Sequence, residues 1–123
     1  MIFALVVLTG AFGALTRYFV NDWVSGWFKH SFPLGTMIVN ASGSFLAGFI
    51  AGWVIQSGAQ PLWVIPILTG YLGAYTTFST WMVQSAFQIE SAEYMRAFLN
   101  ILGSIVTGVI CALAGIYLGG WLA

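Results

Sequence analysis

Charge is scarce in this chain: three Lys or Arg and three Asp or Glu stand among 123 residues, of which 60% are hydrophobic. From Ser31 to Ile89 there is no Asp, Glu, Lys, Arg or His, and from Ala97 to Ala123 no side chain is charged. A soluble domain of this size needs a charged surface, so water is not its main solvent. The lone cysteine, Cys111, excludes an intrachain disulfide and reads as a small buried hydrophobe in an apolar run. The lone histidine, His30, and the acids Asp22, Glu90 and Glu93 all fall at the ends of apolar runs. They leave no Ser-His-Asp set and no metal-ligand cluster, and no phosphate-binding glycine loop is present, so an enzyme is not expected. His30 reads as a loop residue, and Glu90, Glu93 and Arg96 as a solvated turn. Polar residues at every second place are missing too, which excludes an outer-membrane barrel.

What the chain has is apolar length. A bilayer core accepts helices or closed barrels, and a spanning helix takes about 20 apolar residues, so there is room for four spans. They are expected at about 2–23, 33–56, 62–88 and 98–120, making residues 1–123 a single transmembrane domain with both termini on one side. The first resembles the apolar part of a signal peptide, but no Lys or Arg precedes it and Arg17 follows it, so it is read as a mature span. Pro33 suits the first turn of the second span, and Ser57, Gly58, Ala59 and Gln60 before Pro61 mark its end. Small residues recur every four places at Ser44, Gly48 and Gly52, and again at Ser104, Gly108 and Ala112 beside Cys111, Gly115 and Gly119. In lipid such stripes let helices approach closely, and with four short helices enclosing little, a dimer is expected. Lys29, Arg96 and Arg17 lie toward the first and third loops, which favours those loops inside. So few charges also leave insertion in both orientations, and an antiparallel dimer, open.

The densest chemistry lies in the middle of the long third span, from Gly70 through Gly73, Thr76, Thr77, Phe78, Ser79 and Thr80 to Trp81. Each glycine weakens a helix by about 1 kcal/mol relative to alanine, and an unwound segment frees carbonyls that protein, water or an ion must meet. A break at mid-membrane points to a binding site; a helix kinked for packing, with threonines bonded back to their own turn, is the alternative. Asn40 is the other polar outlier. Its amide supplies donors without a fixed charge that would trap an anion, or else it joins two helices by one hydrogen bond. Asn100, Ser104 and Thr107 share a face of the fourth span and could form a polar track. Phe78 and Trp81, three residues apart, either present positive ring edges to an anion or pack against each other.

These residues together resemble the Fluc, or CrcB, family of fluoride channels. The resemblance is carried by Gly10-x-x-Gly13-Ala14-x-x-Arg17-Tyr18, by Pro33-x-Gly35-Thr36-x-x-x-Asn40, by Gly70-x-x-Gly73-x-x-Thr76-Thr77-Phe78-Ser79-Thr80, and by the span containing Ser104. It implies an all-α membrane protein with four transmembrane helices per subunit, the third of them broken, paired as an antiparallel dual-topology dimer. It implies a passive fluoride-selective channel that exports fluoride from the cytoplasm across the inner (plasma) membrane, with no nucleic-acid partner. A structural sodium ion would be held at the dimer centre by the backbone carbonyls of Gly73 and Thr76. Asn40 matches the pore asparagine, Phe78 the first ring of an aromatic box, and Ser79, Thr80 and Ser104 a hydroxyl track. Arg17 matches a structural arginine. Two positions depart from the pattern: Trp81 stands where a second phenylalanine is usual, and Asn100 where a tyrosine is often found. Trp81 could keep a ring edge and add an indole donor, or could mark a subunit whose paralogous partner supplies the phenylalanine. A proton-coupled exporter of the small multidrug-resistance type is the rival, but it needs a carboxylate within the bundle, and no acid occurs from Met1 to Asn21, from Ser31 to Ile89 or after Ala97.

Overall fold

Main-chain polar groups in hydrocarbon must be paired within the chain. In the computed structural model, which describes residues 1–28 and 32–123, this is done by helices, with no strand among the described residues. Lys29 and His30, expected in the first loop, lie outside the described residues. Helix α1 (Ile2–Trp27) and helix α2 (Leu34–Ser57) are followed by a widened π-type turn over Pro66–Leu72, which runs into the single turn α3 (Gly73–Tyr75). Helices α4 (Ser79–Glu90) and α5 (Tyr94–Trp121) complete the chain.

Three of these, α1, α2 and α5, are long and apolar enough to cross a membrane, with 26, 24 and 28 residues. At 1.5 Å per residue each reaches roughly 36 to 42 Å, more than the hydrocarbon core demands. Helix α1 continues past residue 23, because Asp22 sits exposed on its surface and the apolar Trp23, Val24 and Trp27 carry the helix on. Helix α5 begins at Tyr94 rather than near residue 98. Arg96, expected in the turn, lies in its first turn and pairs with Glu93 at 2.6 Å. Helix α2 ends where Gly58 takes a left-handed φ of 67° and its N–H returns to the Val54 carbonyl at 3.0 Å.

Among the described elements, helices α2 and α5 share the most extensive contact. A Cβ on Gly48 or Gly52 would overlap the carbonyls of Ala112 and Ile116, and one on Gly115 or Gly119 those of Phe45 and Phe49. The small-residue stripes therefore seat backbone on backbone, which is how helices gain contact when lipid gives no hydrophobic drive. On the other side, α1 packs against the widened turn. There Gly13 meets the Tyr71 backbone, and Thr9 Oγ1 donates to the Pro66 carbonyl at 2.7 Å. Val39, Leu72 and Tyr75 form a small buried core where these layers meet. Large apolar side chains such as Phe12, Phe19, Ile110 and Leu113 are more than half exposed, as suits a surface facing lipid or a second protein.

Because the Phe45 carbonyl occupies the place of a methyl group on Gly115, Gly115→Ala is expected to cost about 1–3 kcal/mol in detergent unfolding experiments. Gly26→Ala, whose Cβ would have no neighbour within 4 Å, should hold or gain up to about 1 kcal/mol. Equal stability of the two variants would contradict this helix crossing.

Candidate functional site

Thr36, Asn40 and Gly43 recur at helical spacing along α2 and face the stretch between α3 and α4. Gly43 lets the two backbones close up, since a Cβ there would overlap the Thr76 side chain. Thr76 itself is extended, with φ −75° and ψ 156°. At this point Asn40 meets Thr77 twice: Nδ2 donates to the Thr77 carbonyl at 2.9 Å, and Oδ1 accepts from the Thr77 N–H at 2.8 Å. One carboxamide thus satisfies both main-chain groups of one residue. This pattern fixes which way the amide points and leaves its second hydrogen free to donate elsewhere.

The pairing diverts hydrogen bonds from their helical course. In a continuous helix the Thr77 N–H would close on the Gly73 carbonyl, but here it goes to Asn40. The Thr80 N–H, which would close on the Thr76 carbonyl, goes to Thr77 Oγ1 at 3.2 Å. The carbonyls of Gly73 and Thr76 are therefore released from the ladder, and Arg17 Nη1 approaches that of Thr76 at 3.5 Å. Among the described residues no group of three or more His, Cys, Asp or Glu could hold a metal ion.

Beside Asn40 opens a cavity of about 390 Å³ between α2, the α3–α4 junction and α5. Asn40, Phe78, Trp81 and Ser104 line it together with Ser44, Thr76, Thr77 and Gly108, and no charged side chain does. Phe78 is 69% exposed and meets Trp81 edge to face, with ring centroids 5.4 Å apart and planes at 81°. The other expected site residues fall elsewhere. Thr80 lines a separate cavity of about 190 Å³ with Arg17 and Thr36, while Gly73 lines a third of about 230 Å³ with Gly43, Leu72 and Thr76, which borders both this one and the cavity beside Asn40. Ser79 is exposed and lines none of the three. Of the polar face expected on α5 only Ser104 reaches the cavity beside Asn40. Asn100 is 1% exposed, and the Thr107 hydroxyl bonds back to the Gly103 carbonyl at 2.7 Å. Ser44 was readable as a packing residue, and its place one turn after Asn40 was the signal that it also faces the cavity.

Comparison with known proteins places this geometry in context. The family described as "CrcB-like protein, Camphor Resistance (CrcB)" matches residues 4–116. A protein of Hydrogenobaculum sp. named "Fluoride-specific ion channel FluC" is 39% identical over 118 residues, covering 95% of this chain and 96% of its own. One of Bacillus cereus named "Fluoride-specific ion channel FluC 2" is 37% identical over 98% of this chain and 99% of its own. A Methylococcus capsulatus protein with the FluC name is 41% identical over 96% of this chain, which spans 50% of that protein's length.

Asn40→Leu removes both bonds to Thr77 and leaves two main-chain groups without partners, a loss of about 2 kcal/mol or more. Asn40→Asp keeps an acceptor for the Thr77 N–H but sets a charged oxygen against the Thr77 carbonyl, so it should protect that amide while costing at least as much stability. Stability in detergent and exchange of the Thr77 amide hydrogen measure the difference. Unchanged protection of that amide in Asn40→Leu would show that the carboxamide is not its partner.

Proposed function

This chain belongs to the CrcB-like family, and from that premise we propose that it is a passive fluoride-selective channel that exports fluoride from the cytoplasm across the plasma membrane. The observation that carries the proposal is the meeting of Asn40, Phe78, Trp81 and Ser104 on one uncharged cavity beside the extended Thr76. The residues from Pro66 to Glu90 then act as one membrane crossing interrupted at its middle. A fluoride ion leaving water needs donors that replace its hydration without a formal charge that would hold it. The second hydrogen of the Asn40 amide and the hydroxyls of Ser44 and Ser104 are such donors, and the Phe78 ring presents a positive edge. Ser79 and Thr80 belong to the continuation of the route outside this cavity. Flow is down the gradient: no carboxylate lines the cavity to carry a coupling proton, which speaks against a proton-coupled exporter.

The working unit is an antiparallel dimer of this chain with itself or with a paralogous subunit, inserted in both orientations. The exposed apolar faces and the near absence of orienting charge support it. A sodium ion at the dimer centre fits the donor set, because the Gly73 and Thr76 carbonyls are uncharged oxygens released from the helical ladder. The long Arg17 contact leaves the Thr76 oxygen a second lone pair. One chain contributes two such carbonyls, so both copies would be needed to surround the ion, whose charge would brace the junction and draw anions toward it.

The test is reconstitution of the purified protein in liposomes with a fluoride electrode outside. Rapid fluoride release without chloride release is expected, and absence of selective release rejects the channel. Phe78→Ala should slow release about tenfold, the factor matching an aromatic contact of ~1.4 kcal/mol.

Orientation is checked separately. With Cys111 replaced by alanine, a single cysteine at Ala59 should be labelled by impermeant reagents from both sides of the membrane in comparable amounts. Labelling from one side alone would exclude dual insertion.

A further inference from the structure

Behind the cavity, Trp81, Ser85 and Asn100 close a ring of hydrogen bonds that the proposed fluoride route does not use. Trp81 Nε1 donates to the Asn100 main-chain carbonyl at 3.1 Å. Asn100 Nδ2 donates to Ser85 Oγ at 2.9 Å, and Ser85 Oγ donates in turn to the Trp81 carbonyl at 2.9 Å. Asn100 is 1% and Ser85 2% exposed, so the ring lies where an unpaired polar group is costly and each member holds the others in place. The amide oxygen reaches a residue of the cavity wall: Ser104 Oγ donates to Asn100 Oδ1 at 3.5 Å.

Two consequences follow for the cavity. The indole N–H is committed to α5, so Trp81 offers the anion carbon edge and not a donor, and its ring is held against Phe78. Ser104 points its hydrogen at Asn100 through a long, weak bond, which an anion in the cavity can outcompete. We propose that Asn100 is a positioning residue for anion selection: with Ser85 it fixes the Trp81 ring behind Phe78, and its Oδ1 parks the Ser104 hydroxyl until fluoride arrives. The proposal rests on the channel reading and deepens it. It also gives the two departures from the family pattern, Trp81 and Asn100, a common cause, because the indole N–H and the buried amide belong to one network.

Ser85 lines none of the cavities described above, which makes it the clean place to cut the ring. Ser85→Ala leaves the Asn100 amide without its acceptor, whereas Ser85→Thr keeps the hydroxyl. Purified channels in liposomes give three readings: the fraction of vesicles that release fluoride, the rate of release per active vesicle, and the fluoride-to-chloride ratio. Ser85→Ala and Asn100→Leu are expected to lower the ratio about fivefold, the factor for one hydrogen bond's net contribution, with Ser85→Thr restoring it. A lower fraction of active vesicles with unchanged rate and ratio would mean a merely structural role and would overturn the proposal. Should Asn100→Leu fail to fold, the Ser85 pair decides by the same criterion. Wild-type protein without fluoride release would instead remove the channel reading itself.

Discussion

The bond pair between the Asn40 carboxamide and the Thr77 main chain is the contact on which the rest of the site depends. Extended backbone inside a membrane is tolerated only where protein takes up the N–H and C=O groups that the helix no longer pairs. Asn40 does this for Thr77 from a neighbouring helix, at 2.8 and 2.9 Å. An asparagine side chain carries one acceptor and two donors, so it can stand in for a peptide group and still have a hydrogen left. A serine or threonine hydroxyl has one hydrogen, so meeting the Thr77 carbonyl would leave none for the cavity, and aspartate would bring charge. The same contact that permits the extended Thr76 thereby places a donor at the cavity wall and turns the Gly73 and Thr76 carbonyls away from helical work.

Holding Asn40 at that distance requires α2 to be fixed from both sides. On one side Gly48 and Gly52 seat it against the backbone of α5, and Gly115 and Gly119 return the fit. On the other, Gly43 admits the Thr76 side chain, and the Ser42 hydroxyl meets the Tyr75 hydroxyl at 2.9 Å. Each glycine costs helix propensity, by about 1 kcal/mol relative to alanine, which in water would be a poor choice for so long a helix. In lipid the contact that depends on close approach is the main source of helix association, so the balance reverses. Packing and site are thus one construction, with α2 as the shared wall.

Much of this was legible in the residues. Absence of charge over long runs marked membrane helices, and the four-residue recurrence of small side chains marked the α2–α5 contact. Asn40 and the Gly70-to-Trp81 stretch stood out because polar and helix-weakening residues are expensive in hydrocarbon. For Asn40 the competing readings, helix-joining and donor for an anion, are not exclusive: its carboxamide joins two elements and still faces the cavity. Other features were not legible, for identifiable reasons. The widened turn at Pro66–Leu72 depends on Thr9 of α1 reaching the Pro66 carbonyl, a contact 57 residues apart that no local pattern encodes. Spacing placed Asn100, Ser104 and Thr107 on one face, but spacing does not tell a buried carboxamide from one that lines a cavity. Only the third dimension separates Thr80 from Phe78, two residues away and on another cavity.

On the proposed channel reading, the donors of one chain leave an anion's shell incomplete. Several hydroxyls near the cavity are already engaged: Thr76 Oγ1 donates to the Leu72 carbonyl at 2.9 Å and Thr77 Oγ1 to Thr80 Oγ1 at 3.0 Å. That leaves the second Asn40 hydrogen, Ser44 and Ser104 as polar donors on the cavity wall, beside the exposed Phe78 ring. A small anion surrenders a full water shell on entering hydrocarbon, and such a partial lining cannot replace it. Ile105 and Val109 line the cavity from α5, and with Val106 and Ile110 they are exposed apolar residues of that helix. In the proposed dimer, a second copy laid against α5 would bring its own rings and hydroxyls toward this cavity and complete the shell that one chain leaves open.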